Sequence, residues 1–229
     1  MTGVVVYNQL AIDSGKGYFM KVILVNGGPH EKGCTYTALL EVSQALQKEG
    51  VSTEIFWLGE EALAGCTGCL RCAKTGCCRF NDKVNTFLSL AGEADGFVFG
   101  SPVHYAAASG AITSFLDRVF YAAGCSGQPI FRLKPGAVVV SARRGGTTAA
   151  LDQLTKYLTI SQMPVISASY WNMVHGNTPE EVAQDLEGLQ VMRVLGRNMA
   201  WFLRCKEAGE KAGVVPPEQE PRARTNFIR

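Results

Sequence analysis

The stretch Lys21-Val22-Ile23-Leu24-Val25-Asn26-Gly27-Gly28-Pro29-His30-Glu31-Lys32-Gly33-Cys34-Thr35 decides the fold. Its first six residues carry an unbroken apolar run, which suits a strand buried on both faces rather than one with a wet side. A glycine-containing loop follows. A helix is then predicted from about Thr35, with Ala38, Leu39, Val42, Ala45 and Leu46 on one stripe and Gly50 closing it. Strand, glycine loop and helix in that order form the first half of a βαβ unit.

Working outward, the same alternation repeats. Further strands are predicted at 53–58, 96–100, 137–141 and 164–169. Helices are expected at 82–90, around Ile112, Phe115, Leu116 and Val119, and around Leu151, Leu154 and Leu158. Thr178-Pro179-Glu180-Glu181 reads as a capping box with proline at the first helical position, opening a long helix to about Cys205. Five strands with intervening helices predict a parallel sheet covered on both faces. The organisation expected is an N-terminal extension at 1–19, one domain at 20–212 with a cysteine-rich insert at 65–80, and a flexible tail at 213–229. Met20 is a candidate for an older start.

The 229 residues are 47% hydrophobic and 18% charged, enough for one core and little room for a second. The net charge is +2 and the basic residues are scattered except at the C-terminal end, which argues against a nucleic-acid face. The sequence shows no apolar run of membrane-spanning length and no export signal at its start. These features predict a soluble, cytoplasmic protein without a membrane or nucleic-acid partner. Eight cysteines in such a chain are read as thiols, metal ligands or redox groups.

Loops after strands one, three and four should converge, because an open parallel sheet binds ligands beyond the carboxyl ends of its strands, where strand order reverses. The first loop leads into a helix N-terminus, whose free amides and positive dipole end favour a phosphate. Gly28 and Gly33 let backbone approach an anion, and Thr35 offers a hydroxyl. The loop matches neither G-x-G-x-x-G nor G-x-x-x-x-G-K-[ST], so a monophosphate is the better guess than a dinucleotide or nucleoside triphosphate. An ordinary strand-to-helix turn is the plain alternative. The fourth-strand loop, Ser141-Ala142-Arg143-Arg144-Gly145-Gly146, is suited to an electron-rich ring edge, since amides and arginine stabilise developing negative charge.

Asn26-Gly27-Gly28-Pro29-His30 with Gly33-Cys34-Thr35, then Ser101-Pro102-Val103, then Phe115-Leu116-Asp117-Arg118, resembles the NADPH-dependent FMN reductase family of flavodoxin-like proteins over about Lys21 to Tyr170. Relatives with cysteine-rich inserts include the iron–sulfur flavoproteins. The resemblance implies an α/β flavodoxin-like doubly wound sheet of order 2-1-3-4-5. It also implies that Gly28, His30, Cys34 and Thr35 cradle the FMN phosphate and that Ser101, Pro102, Val103, His104 and Tyr105 border the isoalloxazine ring. Ser141, Arg143, Arg144, Gly145 and Gly146 then face its pyrimidine end. His30 stands where arginine is frequent, and His104 where tyrosine is common. A homodimer or homotetramer, with flavin near a subunit boundary, is implied as well.

The insert reads Cys66-Thr67-Gly68-Cys69-Leu70-Arg71-Cys72-Ala73-Lys74-Thr75-Gly76-Cys77-Cys78. Three thiols at x2, x2 spacing with a fourth after four or five residues can wrap a [4Fe–4S] cluster, because each thiolate must reach a different iron. Zinc could take four of the same thiolates. The segment admits reduced thiols without metal first, then an iron–sulfur cluster on Cys66, Cys69, Cys72 and Cys77, then zinc. The expected function is transfer of electrons from NAD(P)H to FMN and on to a flavin, quinone or other small acceptor. No residue is expected to act as a catalytic acid or base, because the flavin carries that chemistry. The alternatives are an iron–sulfur flavoprotein carrying electrons between cluster and FMN, a non-catalytic flavin module, which near-neutral charge disfavours, and a regulatory protein on the same fold.

Overall fold

In the computed structural model, which describes residues 20–221, 223 and 225–227, strand β1 (Lys21–Asn26) is an inner strand of the sheet. The extension expected at 1–19 lies outside the described residues. The chain continues through α1 (Cys34–Lys48), β2 (Ser52–Trp57), α2 (Arg71–Thr75), α3 (Lys83–Ala91), β3 (Gly96–His104), β4 (Ala107–Ala108) and α4 (Gly110–Ser126). It ends with β5 (Gly136–Ala142), α5 (Thr147–Ile160), β6 (Met173–His175), α6 (Pro179–Val182) and α7 (Leu186–Lys211).

The parallel strands run in the order β2-β1-β3-β5-β6, and the two-residue β4 folds back antiparallel onto β3. With β4 set aside, this is the expected 2-1-3-4-5 order. The unbroken apolar run of β1 is explained by its two neighbours in depth. Val22 and Leu24 pack toward α1 and α7, while Ile23 and Val25 face the layer of α3, α4 and α5. That second layer is aromatic. Phe87 meets Phe56, Phe97 and Phe115 at centroid separations of 5.5, 6.0 and 5.1 Å, the spacing at which tilted rings attract.

Two predicted elements differ from the sequence expectation, and α2 and β4 are additions to it. The fifth strand is not at 164–169, where Gly136 donates to the Pro164 carbonyl and Ile166 donates back to Gly136 around a single bridge at Val165. Pro164 has no amide for a ladder, and the chain leaves the sheet until β6 pairs with the end of β5. The long helix predicted from Thr178 is two helices. Thr178 does cap α6, accepting from the Glu181 amide, but Asp185 then starts α7 by accepting from Gly188, and its other oxygen takes the His175 amide at 2.7 Å. The carboxylate thus anchors the helix start to the sheet. The helix also runs past Cys205 to Lys211. No helix among the described residues is long and apolar enough to cross a membrane.

Candidate functional site

Three loops meet at the carboxyl edge of the sheet, and hydrogen bonds between them fix their spacing. Gly27 donates to the Gly100 carbonyl at 2.9 Å, and the Ser109 hydroxyl donates to the Gly27 carbonyl at 3.2 Å. The Ser109 amide in turn donates to the Ser101 hydroxyl. Thr35 Oγ1 and Ser141 Oγ lie 2.8 Å apart with both residues buried, tying the start of α1 to the end of β5. One hydroxyl proton is used in that bond, and the other remains to meet an acceptor.

The helix starts here differ from those elsewhere. Of the five longer helices among the described residues, α3, α4 and α7 are capped by the side chains of Asp82, Ser109 and Asp185. Helices α1 and α5, which begin at this edge behind Gly33 and Gly146, have no side-chain cap. Their first-turn amides have no carbonyl behind them within the helix. Two positive dipole ends with unclaimed donors therefore open on the same edge.

The expected site residues divide by burial. Gly28 is buried; its amide donates to Asn26 Oδ1, where an added Cβ would come to 2.9 Å. Cys34, Pro102 and Val103 are half-buried, and burial pushes the Cys34 thiol up. Ser101 and Ser141 are buried, whereas His30, His104, Tyr105, Arg143, Arg144 and Gly145 are exposed around the edge. Gly146 holds φ at +97° and a Cβ there would stand 2.5 Å from the Ala106 Cα, so it is glycine because the third-strand loop presses on it. Gly145 faces open space.

Three residues that shape this edge carry no assigned role in the sequence. Trp57 Nε1 donates to the Gly28 carbonyl at 2.9 Å, pinning the first loop from the neighbouring strand. Asn26 Nδ2 donates to the Glu31 carbonyl and closes the same loop. Ser109 was detectable: a serine directly before the apolar helix around Ile112 is a cap signal. Residues 103–108 form a hairpin whose turn residues, Tyr105 and Ala106, both have positive φ. Such turns favour Asn and Gly, so the Tyr-Ala pair is strained and holds the Tyr105 ring out in solvent.

The cysteine insert lies on the α4 side of the sheet. Cys66, Cys69, Cys72 and Cys78 line one pocket together with Phe80, Arg118 and Tyr121. Cys77, the fourth ligand expected from spacing, is not among them. Its sulfur lies with the Thr75 hydroxyl at 3.4 Å beyond the end of α2, while Asn85 grips its neighbour by accepting from the Cys78 amide and donating to the Cys78 carbonyl. That grip turns Cys78 inward. The backbone amide of Arg71 pulls the Cys69 thiol below its usual range, and burial pushes Cys72 above it. Among the described residues, no three His, Cys, Asp or Glu side chains are gathered to hold a single metal ion.

The profile of the family described as NADPH-dependent FMN reductase matches residues 20–178. An iron–sulfur flavoprotein of Methanocaldococcus jannaschii is 32% identical over 193 residues, covering 79% of this chain and 96% of that protein. One from Archaeoglobus fulgidus is 28% identical over 166 residues, covering 72% and 81%. Among solved structures, RosB with bound 8-demethyl-8-formylriboflavin-5'-phosphate superposes with a TM-score of 0.64 at 15% identity over 92% of both chains. A flavodoxin from the domain Archaea gives 0.55 at 15% identity, covering 81% of this chain and 99% of its own. At such identities the structural likeness speaks for the fold.

Proposed function

Because this chain belongs to the NADPH-dependent FMN reductase family, and is with it a flavin-dependent oxidoreductase, we propose that it holds FMN at the carboxyl edge and a [4Fe–4S] cluster on the cysteine insert. The observation that carries the flavin reading is the convergence of two helix starts without side-chain caps on one edge. A phosphate needs what α1 offers: first-turn amides at Cys34, Thr35 and Tyr36, and a hydroxyl proton from the Thr35–Ser141 pair. Pro102, Val103, His104 and Tyr105 would border the ring, with Arg143, Arg144, Gly145 and Gly146 at its pyrimidine end.

Bound there, FMN supplies hydride or single-electron chemistry at its ring. The protein contributes position and field. The dipole of α5 and the two arginines favour negative charge beside Gly146, and the Gly146–Ala106 contact keeps the two bordering loops in register. The donor in this proposal is NAD(P)H, supported by the family's description, and the acceptor is a flavin, quinone or other small molecule. A cytoplasmic setting and assembly as a homodimer or homotetramer belong to the same proposal.

The insert fits the second group in its donor set. Cys66, Cys69, Cys72 and Cys78 share a pocket, and a cubane cluster holds its thiolates farther apart than a single ion does because each reaches a different iron. The relatives named as iron–sulfur flavoproteins support this reading over a bare thiol loop. Such a cluster supplies single-electron exchange. The residues that would hold it are the four thiols of the pocket, with Cys78 in place of Cys77.

Anaerobic purification followed by iron and flavin analysis tests both parts. One FMN and about four irons per chain are expected for a [4Fe–4S] centre, with iron lost in Cys78→Ser and kept in Cys77→Ser, and flavin absorbance bleached by NADPH. A colourless protein that takes up no FMN overturns the flavin assignment. Bound flavin without stoichiometric iron removes the cluster and leaves the flavin reading standing.

A further inference from the structure

Arg118 is the largest fully buried side chain among the described residues, yet it stands on α4 outside the proposed flavin edge. The Phe115-Leu116-Asp117-Arg118 motif splits its two charges between different tasks. Asp117 accepts from the Tyr157 hydroxyl of the neighbouring helix α5. Arg118 turns the other way, toward the cysteine insert, and contacts four residues of that segment and its flanks: Ala64, Cys78, Phe80 and Asp82. Nη1 and Nη2 form a two-pronged ion pair with Asp82 at 2.7 and 2.8 Å. Nη1 also donates to the Ala64 carbonyl at 3.2 Å, two residues before the first thiol of the pocket. Nε donates to Cys78 Sγ at 3.3 Å, and the Phe80 ring lies against the guanidinium with its centroid 4.8 Å away.

The rigid fork of an arginine can make all these bonds at once, where a lysine ammonium could not. It grips the insert at its entrance and at its last thiol, and brings a buried positive charge to one sulfur. We propose that Arg118 is the positioning residue of the cysteine centre: it sets the pocket's width through Ala64 and Cys78, and it raises the reduction potential of a cluster held there by donating to the Cys78 sulfur. This rests on the cluster reading above. Hydrogen bonds to cluster sulfurs stabilise the more negative, reduced state, one of the protein's levers on potential beside net charge and burial.

Asp82 is the counterweight. It partly neutralises the guanidinium and is 29% exposed, so its charge offsets what Arg118 gives to Cys78. Removing the donor and removing the counterweight should therefore move the potential in opposite directions, whereas a residue that merely held the fold together would move it one way for both. Asn at position 82 keeps a side-chain oxygen for the Val84 amide that caps α3, which makes Asp82→Asn the gentler of the two variants.

The test is anaerobic redox titration of the reconstituted holoprotein, followed by the cluster's electron paramagnetic resonance signal. Arg118→Gln is expected to lower the midpoint so that the reduced-to-oxidised ratio at a fixed potential falls about tenfold, or about 59 mV for a one-electron couple. Asp82→Asn is expected to raise it. Potentials unchanged in both variants, or shifted down in both, overturn the role of Arg118 while leaving the cluster in place. If Arg118→Gln does not fold, an Asp82→Asn midpoint at or below that of the parent is sufficient to overturn it. A parent protein that binds no iron brings down the cluster reading itself, and the inference with it.

Discussion

At the carboxyl edge, the loop starts are built mostly from main-chain amides and small residues, held by strand pairing and by loop-to-loop bonds such as Gly27 to Gly100 and Ser109 to Gly27. In the cysteine insert, α2 has only five residues and the geometry hangs on two side chains reaching across from helices, Arg118 and Asn85. The edge is a consequence of the sheet. The insert is a graft on it, clamped from outside. One region should therefore tolerate side-chain truncation and resist backbone change, and the other should behave the opposite way.

The largest effect is expected where the clamp is removed. Arg118→Ala leaves Asp82 without its partner and should cost about 3 kcal/mol, the lower end for a broken buried pair, since Asp82 keeps some contact with water. Urea denaturation reads this directly, and FMN affinity per folded molecule should stay within twofold. A comparable loss of flavin affinity would show that the two regions are one unit. Next comes the edge's own weak point. Gly146→Val places a Cβ against the Ala106 backbone at a φ of +97° and should cost about 2–3 kcal/mol, whereas Gly145→Ala, in open space, should be neutral. Thermal melts of the two apo variants would blunt the contrast if Gly145→Ala proved the worse.

Smaller effects sharpen it. Asn85→Ala removes an acceptor from the Cys78 amide and donors from the Cys78 and Phe80 carbonyls, at 2.8, 3.0 and 2.9 Å, and should cost about 2 kcal/mol. Limited proteolysis should then cut first within 65–80; a first cut elsewhere would show that Asn85 is not what holds the insert. Thr35→Ala is the mildest, weakening FMN by about 1 kcal/mol while riboflavin binding is unchanged. Equal weakening of both ligands would mean that Thr35 supports the ring side and not the phosphate.

The same contrast explains what was legible in the sequence. The strand–loop–helix units around β1, β3 and β5 were readable because strands buried on both faces must be apolar throughout, and Val22 to Val25 and Val138 to Val140 leave no other reading. The loops that make the edge follow from those units. Positions set by a partner distant in sequence were not readable. The break between α6 and α7 depends on Asp185 reaching the His175 amide. The choice of Cys78 over Cys77 depends on Asn85, and spacing alone cannot separate adjacent thiols. Arg118 could be picked out as part of a motif, but its partners at Ala64, Cys78 and Asp82 lie 36 or more positions away.

The interrupted fifth strand has an effect on how the molecule meets its own copies. A long flat strand at the border of a sheet exposes a row of free amides and carbonyls that another chain can join, which is a route to aggregation. Here that border offers one bridge at Val165, a detour through 167–172, and then the three residues Met173–His175. Neither piece is long enough to template a partner strand. The opposite border is β2, six residues with Phe56 and Ile55 packed into opposite layers and Glu54 paired to Lys21 of β1. Charge on the strand is another way of discouraging such pairing, so the two borders are guarded by different means, one by breaking the strand and the other by charging it.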